Sequence, residues 1–152
     1  MGLLDFFRRP PKPASPVREA AALLTDLAGD GGFALAVVGE SHYRQNFDRV
    51  CGKTIDGANN MIVQAVLVCE RDNPHDPDAV RIDVEGLPVG HLSRAMAKKY
   101  RARLEALNLD ERPRACRAMV RGGWDRGADD RGEYGIRLDL DLTKGRRRRP
   151  DA

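Results

Sequence analysis

Apolar and polar residues alternate along several short stretches of this chain. In segment 133–142 every second residue is apolar, at Tyr134, Ile136, Leu138, Leu140 and Leu142. A period of two is typical of a strand with one buried face. Segment 79–84 alternates in the same way, and apolar runs bounded by turn residues occupy 33–39, 61–69, 89–92 and 115–121. The pattern therefore predicts six short strands.

Two segments have helical spacing instead. Residues 94–107 place apolar side chains three and four positions apart behind Ser93, a favourable N-cap residue. Segment 17–28 has an apolar face of Leu23, Leu24 and Leu27 and is followed by a run rich in glycine, so we expect a short helix there as well. The polar stretches 40–60 and 122–132 show neither period and predict loops.

Short strands with one inserted helix predict a mainly β fold with one or two helices, built as a small, partly open β-barrel of the OB-like kind. Four prolines between residues 8 and 16 indicate an extended linker. We therefore expect an N-terminal segment at 1–32, consisting of that linker and the short helix, and a domain at 33–143. Residues 144–152 carry an arginine run and predict a basic, disordered tail.

The composition narrows the class of protein. The chain has 152 residues, of which 41% are hydrophobic and 32% charged, which suits one globular domain and argues against wholesale disorder. No apolar run is long enough to span a membrane, and the first residues lack the charge order of a secretory signal, so we expect a cytoplasmic protein. The formal net charge is only +3. The basic tail is compatible both with phosphate binding and with a solvated end.

Motifs of the common enzyme classes are not found. The sequence contains no GxSxG, P-loop, HExxH or paired CxxC motif. Cys69 and Cys116 lie in apolar runs, which favours core positions. His75, Asp76 and His91 are the nearest approach to a metal-ligand set, and a turn-capping role for Asp76 is the simpler interpretation. We therefore expect a non-catalytic protein without metal or cofactor.

Residues 70–94 combine several motifs at a specific spacing. Asn-Pro-His-Asp at 73–76 is followed by Ala-Val at 79–80, a strand, a glycine turn, and Val-Gly-His-Leu at 89–92 before a helix. Upstream, Val-Val-Gly at 37–39 precedes Ser-His-Tyr at 41–43. This combination resembles the HIRAN domain family, whose members occur alone in bacteria and fused to helicases and nucleases. The resemblance covers roughly residues 33–142.

The resemblance implies an OB-like barrel whose groove holds single-stranded DNA at its 3′ end. The implied nucleic-acid-binding residues are His42, Tyr43, Asn73, His75, Asp76, His91 and Arg94. Asp76 would accept a hydrogen bond from the terminal sugar hydroxyl, His75 would stack on a base, and Asn73 would brace the turn or contact the nucleotide. His91 and Arg94 would lie beside phosphate. From the residues alone, Asn73 and Asp76 can equally be turn caps and Tyr43 a core residue.

The chemistry of these residue types agrees with a strand end as ligand. A carboxylate accepts strongly from a hydroxyl but repels phosphate, so it suits a free end better than a continuing backbone. This chain differs from the family pattern in having Ser41-His42 where an arginine-tyrosine pair is expected, and His75 in place of a tyrosine. We expect a DNA-binding module with a role in DNA repair or processing and a helicase or nuclease partner. The alternative is a protein–protein interaction module that assists a DNA-processing enzyme.

Overall fold

The computed structural model describes residues 21–143, in which seven strands and two α-helices are present. The strands are β1 Ala22–Leu23, β2 Leu35–Ala36, β3 Ala58–Cys69, β4 Val80–Val84, β5 Leu87–His91, β6 Arg114–Gly122 and β7 Tyr134–Leu138. The α-helices are α1 Arg44–Cys51 and α2 Arg94–Ala106, and two 3₁₀ helices cover Thr25–Leu27 and Glu40–Tyr43. Within these residues, neither α-helix has the length and apolar character needed to cross a membrane.

Six of the strands form one curled antiparallel sheet in the order β2-β7-β6-β3-β4-β5. β1 pairs in parallel with the first residues of β6. Side chains alternate between two faces along each strand. The inner face of β6, for example, buries Cys116, Ala118 and Val120, while Arg117 and Arg121 are exposed. The predicted fold class, a mainly β protein with a partly open barrel, is confirmed.

The two ends of the sheet order meet at a single bridge. The Val38 amide donates to the His91 carbonyl at 2.8 Å, and the His91 amide donates to the Val38 carbonyl at 2.9 Å. A Cβ atom on Gly90 would lie 2.5 Å from Val37 Cγ1 and 2.8 Å from the Val38 oxygen. Glycine is therefore required at position 90 because the chain segment after β2 crosses β5 at close range.

Glu40 extends this closure to β7. β2 ends opposite Arg137, and the next amide along β7, that of Ile136, donates to Glu40 Oε2 at 3.2 Å. Burial raises the pKa of the Glu40 carboxyl, while the hydrogen bond from Ile136 and the nearby Arg137 act in the opposite direction. A side-chain acceptor thus replaces a missing strand partner at the open part of the barrel.

The core lies inside the barrel and beneath the helices. α2 contributes Ala97, Tyr100 and Leu104, all at most 1% exposed. On the other side, the ring of Phe47 in α1 stacks on Tyr134 at a centroid distance of 4.8 Å. Cys116 is buried, and burial raises the pKa of its thiol to about 12. The prediction that Cys69 and Cys116 pack with the core is confirmed.

Most predicted elements are confirmed to within three residues. The strands predicted at 61–69, 79–84, 89–92 and 115–121 correspond to β3, β4, β5 and β6, and the helix predicted at 94–107 corresponds to α2. Ser93 caps α2 as expected, because its side chain accepts from the Met96 amide at 3.2 Å. The strand predicted at 33–39 is reduced to β2 and the isolated bridge at Val38.

The helix predicted at 17–28 is wrong over its described part, residues 21–28. These residues form β1 and a 3₁₀ turn, because the Leu24 amide donates to the Ala115 carbonyl and the segment follows β6. Leu23 is 63% exposed while Leu24 and Leu27 are buried, so the three leucines do not share one face. Residues 17–20, the predicted linker and the predicted tail at 144–152 lie outside the described residues.

The loop predicted at 40–60 is also wrong, because it contains a 3₁₀ helix, α1 and the start of β3. Phe47 and Val50 are buried, and Tyr43 packs against the same core. These three residues are four and three positions apart, as on one face of a helix. The polar residues between them made this period hard to recognise in the sequence.

The strand predicted at 133–142 ends early and has one residue misassigned. The β6–β7 ladder ends at Leu138, although Leu140 bridges Ala28 beyond it. Asp139, expected on the polar face, is buried because its carboxylate accepts from the amides of Gly31 at 3.0 Å and Phe33 at 3.4 Å.

Glu40 offers a test of the barrel closure. We expect Glu40→Ala to lower the free energy of unfolding by about 1–3 kcal/mol, because the Ile136 amide loses its acceptor. Glu40→Gln keeps a carbonyl oxygen at that position and should cost less. Urea denaturation of both variants measures the difference.

The two variants also separate charge from hydrogen bonding. A carboxyl with a raised pKa in the folded state contributes stability below its ordinary pKa, and this contribution is lost as pH rises through the raised value. The stability of the natural protein relative to Glu40→Gln should therefore be greatest near about pH 4 and fall toward about pH 7. A relative stability that rises over this range would contradict the assigned direction.

Candidate functional site

The turn that joins β3 to β4 is organised by two side chains. Asn73 Oδ1 accepts from the amides of His75 at 2.9 Å and Asp76 at 3.1 Å. Asp76 Oδ1 accepts from the Asp78 amide at 3.0 Å, and the Asp76 carbonyl accepts from the Ala79 amide. Asn73 therefore braces the turn, which is one of the two roles expected for it. Asp76 caps the turn with one carboxylate oxygen and leaves the second for other contacts.

The second oxygen of Asp76 faces the start of α2. Asp76 Oδ2 lies 3.9 Å from Arg94 Nε, and the Arg94 side chain is 84% exposed. A contact of this length at such exposure contributes little stability. A small cleft of about 210 Å³ lies here, lined by His75, Asp76, Asp78, Arg94 and Lys98. The cleft thus combines the capping carboxylate of Asp76, and that of Asp78, which pairs with Arg71, with two cations one helical turn apart at a helix N-terminus.

Arg101 fixes the turn against α2. Its side chain is only 10% exposed, and its guanidinium donates to the carbonyls of Asp78 at 2.9 Å and Ala79 at 3.2 Å. The same guanidinium pairs with Glu111 at 2.6 Å. Since the turn and α2 are tied together in this way, the positions of Asp76 and Arg94 relative to each other follow from a half-buried network rather than from their own weak contact.

A second cluster lies at the end of β5. His91 Nε2 is 2.7 Å from Glu70 Oε1, and Arg81 approaches the other oxygen of Glu70 at 3.3 Å. Arg81 also pairs with Asp83 at 2.8 Å. The rings of Tyr43 and His91 are 6.3 Å apart and tilted. Tyr43 is half-buried and packs on the core, as one of the two interpretations of this residue expected.

The two clusters are joined through Glu70. The Glu70 carbonyl accepts from the Asn73 amide at 3.1 Å, while its carboxylate binds His91. The structure thus brings Asn73, His75, Asp76 and Arg94 together and connects them with His91 and Tyr43. His42 is exposed and does not line the cleft. Together with Tyr43 it lines a polar cavity of about 710 Å³, whose other residues include Arg44, Lys53, Asp125 and Arg131.

Glu70, Lys98 and Arg101 belong to this region but were missed from the sequence. Lys98 and Arg101 follow Arg94 at four and seven positions along the predicted helix, so their shared face was visible in the sequence. Glu70 carried no such signal, because its role depends on the pairing of β4 with β5, which places His91 beside Arg81.

Metal-ligand geometry is not present in the part of the chain that the structure describes. Among residues 21–143 no group of three or more histidine, cysteine, aspartate or glutamate side chains is arranged to hold a metal ion. His91 pairs with Glu70 rather than with His75 or Asp76.

Comparison with known proteins adds no relative. No protein-family model, curated protein or solved structure matches this chain. The resemblance to the HIRAN family therefore rests on the spacing of residues 37–43 and 70–94 and stays a prediction.

The turn geometry leads to a test of Asn73. We expect Asn73→Ala to destabilise the protein by about 0.5–2 kcal/mol, because two amides of the turn lose their acceptor. Asn73→Asp supplies an oxygen at the same place and should be better tolerated. Urea denaturation of both variants gives the comparison, and equal losses would show that the oxygen of Asn73 is not what stabilises the turn.

Proposed function

We propose that this protein is a non-catalytic module that binds single-stranded nucleic acid, with a DNA 3′ end as the preferred ligand of the cleft at 75–98. The observation that carries the proposal is the cleft itself. It places the capping carboxylate of Asp76 within 3.9 Å of Arg94, beside Lys98 and the exposed His75. A strand end presents both a hydroxyl donor and phosphate anions, and these two kinds of side chain complement that combination.

Asp76 is suited to the hydroxyl. One of its oxygens is held by the Asp78 amide, so the carboxylate is oriented before any ligand binds. The other oxygen faces the cleft side on which Arg94 lies. An ionised carboxylate accepts a hydrogen bond from a sugar hydroxyl but repels a phosphate. This gives the cleft a physical reason to prefer a terminal hydroxyl over a continuing strand.

Arg94 and Lys98 are suited to the phosphates. Both are exposed, and they lie on one face of the first turns of α2, where the helix dipole also favours anions. His91 is less suited, because its Nε2 is already bound to the Glu70 carboxylate. We therefore assign the phosphate contacts to Arg94 and Lys98. We assign base stacking to the rings of His91 and Tyr43, which are tilted by 41° and so offer a base two separate faces. Stacking of this kind is worth about 1–3 kcal/mol per base.

Asp76 provides the sharpest test. We expect Asp76→Asn to abolish the preference for a 3′ hydroxyl over a 3′ phosphate, because the variant keeps an oxygen for the Asp78 amide but loses the charge that repels phosphate. Asp76→Ala should abolish the preference and also weaken the turn. Fluorescence anisotropy with oligonucleotides labelled at the 5′ end, carrying either 3′ group, measures the preference.

Asp56 serves as the matched control for this experiment. It is an exposed carboxylate that contacts Arg126, and Asp56→Asn makes the same change of residue and removes the same charge at a position that does not line the cleft. This control should keep the preference of the natural protein. If Asp76→Asn also keeps it, Asp76 is a turn cap and the end-binding part of the proposal is wrong.

The salt dependence tests the class of ligand. Binding that rests on phosphate contacts should weaken steeply between about 50 mM and about 200 mM salt, since each contact releases counterions. An interface made mainly of apolar contacts with a protein partner would show little such dependence. No binding of a labelled single strand at the lower salt concentration would refute the nucleic-acid proposal.

A further inference from the structure

The arginines of the barrel differ in how they are neutralised. Near the β3–β4 turn and in the loops, Arg71, Arg81, Arg112, Arg126 and Arg131 each have a carboxylate within 4.0 Å. Arg117, Arg121 and Arg137 contact the Phe33 ring, the Asn60 side chain and the Ala34 carbonyl. The Glu40 carboxylate lies near Arg137 but is bound by the Ile136 amide. Among residues 21–143, the positive charges of these three arginines are therefore not compensated by a direct ion pair.

These three arginines share the outer face of β6 and β7. Arg117, Met119 and Arg121 alternate with the buried residues of β6, and Met119 lies opposite Arg137 of β7. Ile62 of β3, which is 46% exposed, lies opposite Met119 on the other side. Because adjacent strands are about 5 Å apart, the row Ile62–Met119–Arg137 forms a continuous surface. Met119 and Ile62 make the centre of this surface apolar, and Arg117 and Arg121 flank Met119 along β6.

A groove runs along this face. It has a volume of about 580 Å³, and its lining includes Phe33, Glu40, Met119, Arg121 and Arg137. Gly135 lies opposite Arg121. Because glycine has no side chain, the floor of the groove at this position is backbone. Glu40 is the one carboxylate among the lining residues, and its Oε2 is bound by the Ile136 amide. One end of the 3₁₀ helix that runs from Glu40 to Tyr43 thus lines the groove, and the other end carries a ring of the candidate site.

We infer that this face, made of Arg117, Arg121, Arg137, Met119 and Ile62, binds the backbone and bases of a single-stranded nucleic acid whose end occupies the cleft at 75–98. The inference rests on the proposed function and extends it from the strand end to the strand that follows. Three arginines on one face complement the phosphates of a strand, and Met119 and Ile62 offer apolar contact to its bases. The candidate site binds the end, and the outer face binds the continuing chain.

The experiment compares two oligonucleotides and two triple variants. One oligonucleotide has about four nucleotides and reaches only the cleft, and the other has about fifteen and can reach the outer face. The test variant is Arg117→Gln, Arg121→Gln and Arg137→Gln. The control is Arg112→Gln, Arg126→Gln and Arg131→Gln, three exposed arginines that are ion-paired. Each triple change takes the formal net charge from +3 to neutral, so overall charge is matched.

We expect the test variant and the control to bind the short oligonucleotide equally well. The test variant should bind the long oligonucleotide about tenfold more weakly than the control does. Its slope of log affinity against log salt concentration should be smaller by about 2. If both triple variants bind the long oligonucleotide equally well, the inference about the outer face is wrong while the cleft proposal stands. If the natural protein binds neither oligonucleotide, the proposed function itself fails. These two failures are distinct.

A charge-preserving variant guards against misfolding as the cause. Arg117→Lys, Arg121→Lys and Arg137→Lys loses the contacts of the guanidinium groups with Phe33, Asn60 and Ala34 but keeps three cations on the face. It should retain the salt slope of the natural protein. If it loses binding as fully as the glutamine variant while both remain folded by urea denaturation, phosphate attraction is not the role of these residues.

Discussion

The bridge between Val38 and His91 is the contact on which the rest of this structure depends. It joins the two ends of the sheet order with two short backbone hydrogen bonds, and it requires glycine at position 90 because the strands cross so closely. The same residue that closes the barrel through its backbone presents its imidazole to Glu70 and Tyr43. The bridge therefore both closes the barrel and positions the rings of the candidate site, since His91 is part of the bridge and Tyr43 follows Val38 by five residues.

The cleft has a different origin, because it depends on side chains rather than on strand pairing. Asn73 braces the β3–β4 turn from within, and Arg101 binds that turn to α2 through three carbonyl oxygens. The 3.9 Å separation of Asp76 and Arg94 thus depends on the contacts that hold the turn and α2 together rather than on their own weak pairing. A ligand that separates them meets little resistance from their own pairing, while the scaffold beneath keeps its geometry. This combination of weak direct pairing and strong support is what a preformed binding site needs.

The sequence was informative where one period dominated. β3 to β7 and α2 were predictable because alternation or helical spacing is imposed by a buried face, and the Asn73–Asp76 turn was predictable because asparagine and aspartate accept from nearby amides. The errors have a common physical cause. In residues 21–28 and 40–51, partners distant in sequence decide the conformation: Ala115 pairs with Leu24, and Tyr134 packs on Phe47. Glu70 was missed for the same reason, because its role depends on the pairing of β4 with β5.

The distribution of charge connects these features. Around His91 the carboxylates of Glu70 and Asp83 outnumber Arg81, whereas on the outer face of β6 and β7 three arginines form no direct ion pair with another described residue. Carboxylates repel a phosphodiester chain and arginines attract it, whereas a carboxylate accepts a hydrogen bond from a terminal hydroxyl and an arginine does not. The proposed function therefore implies one direction for a bound single strand, with its backbone along the arginines and its end at Asp76 in the cleft.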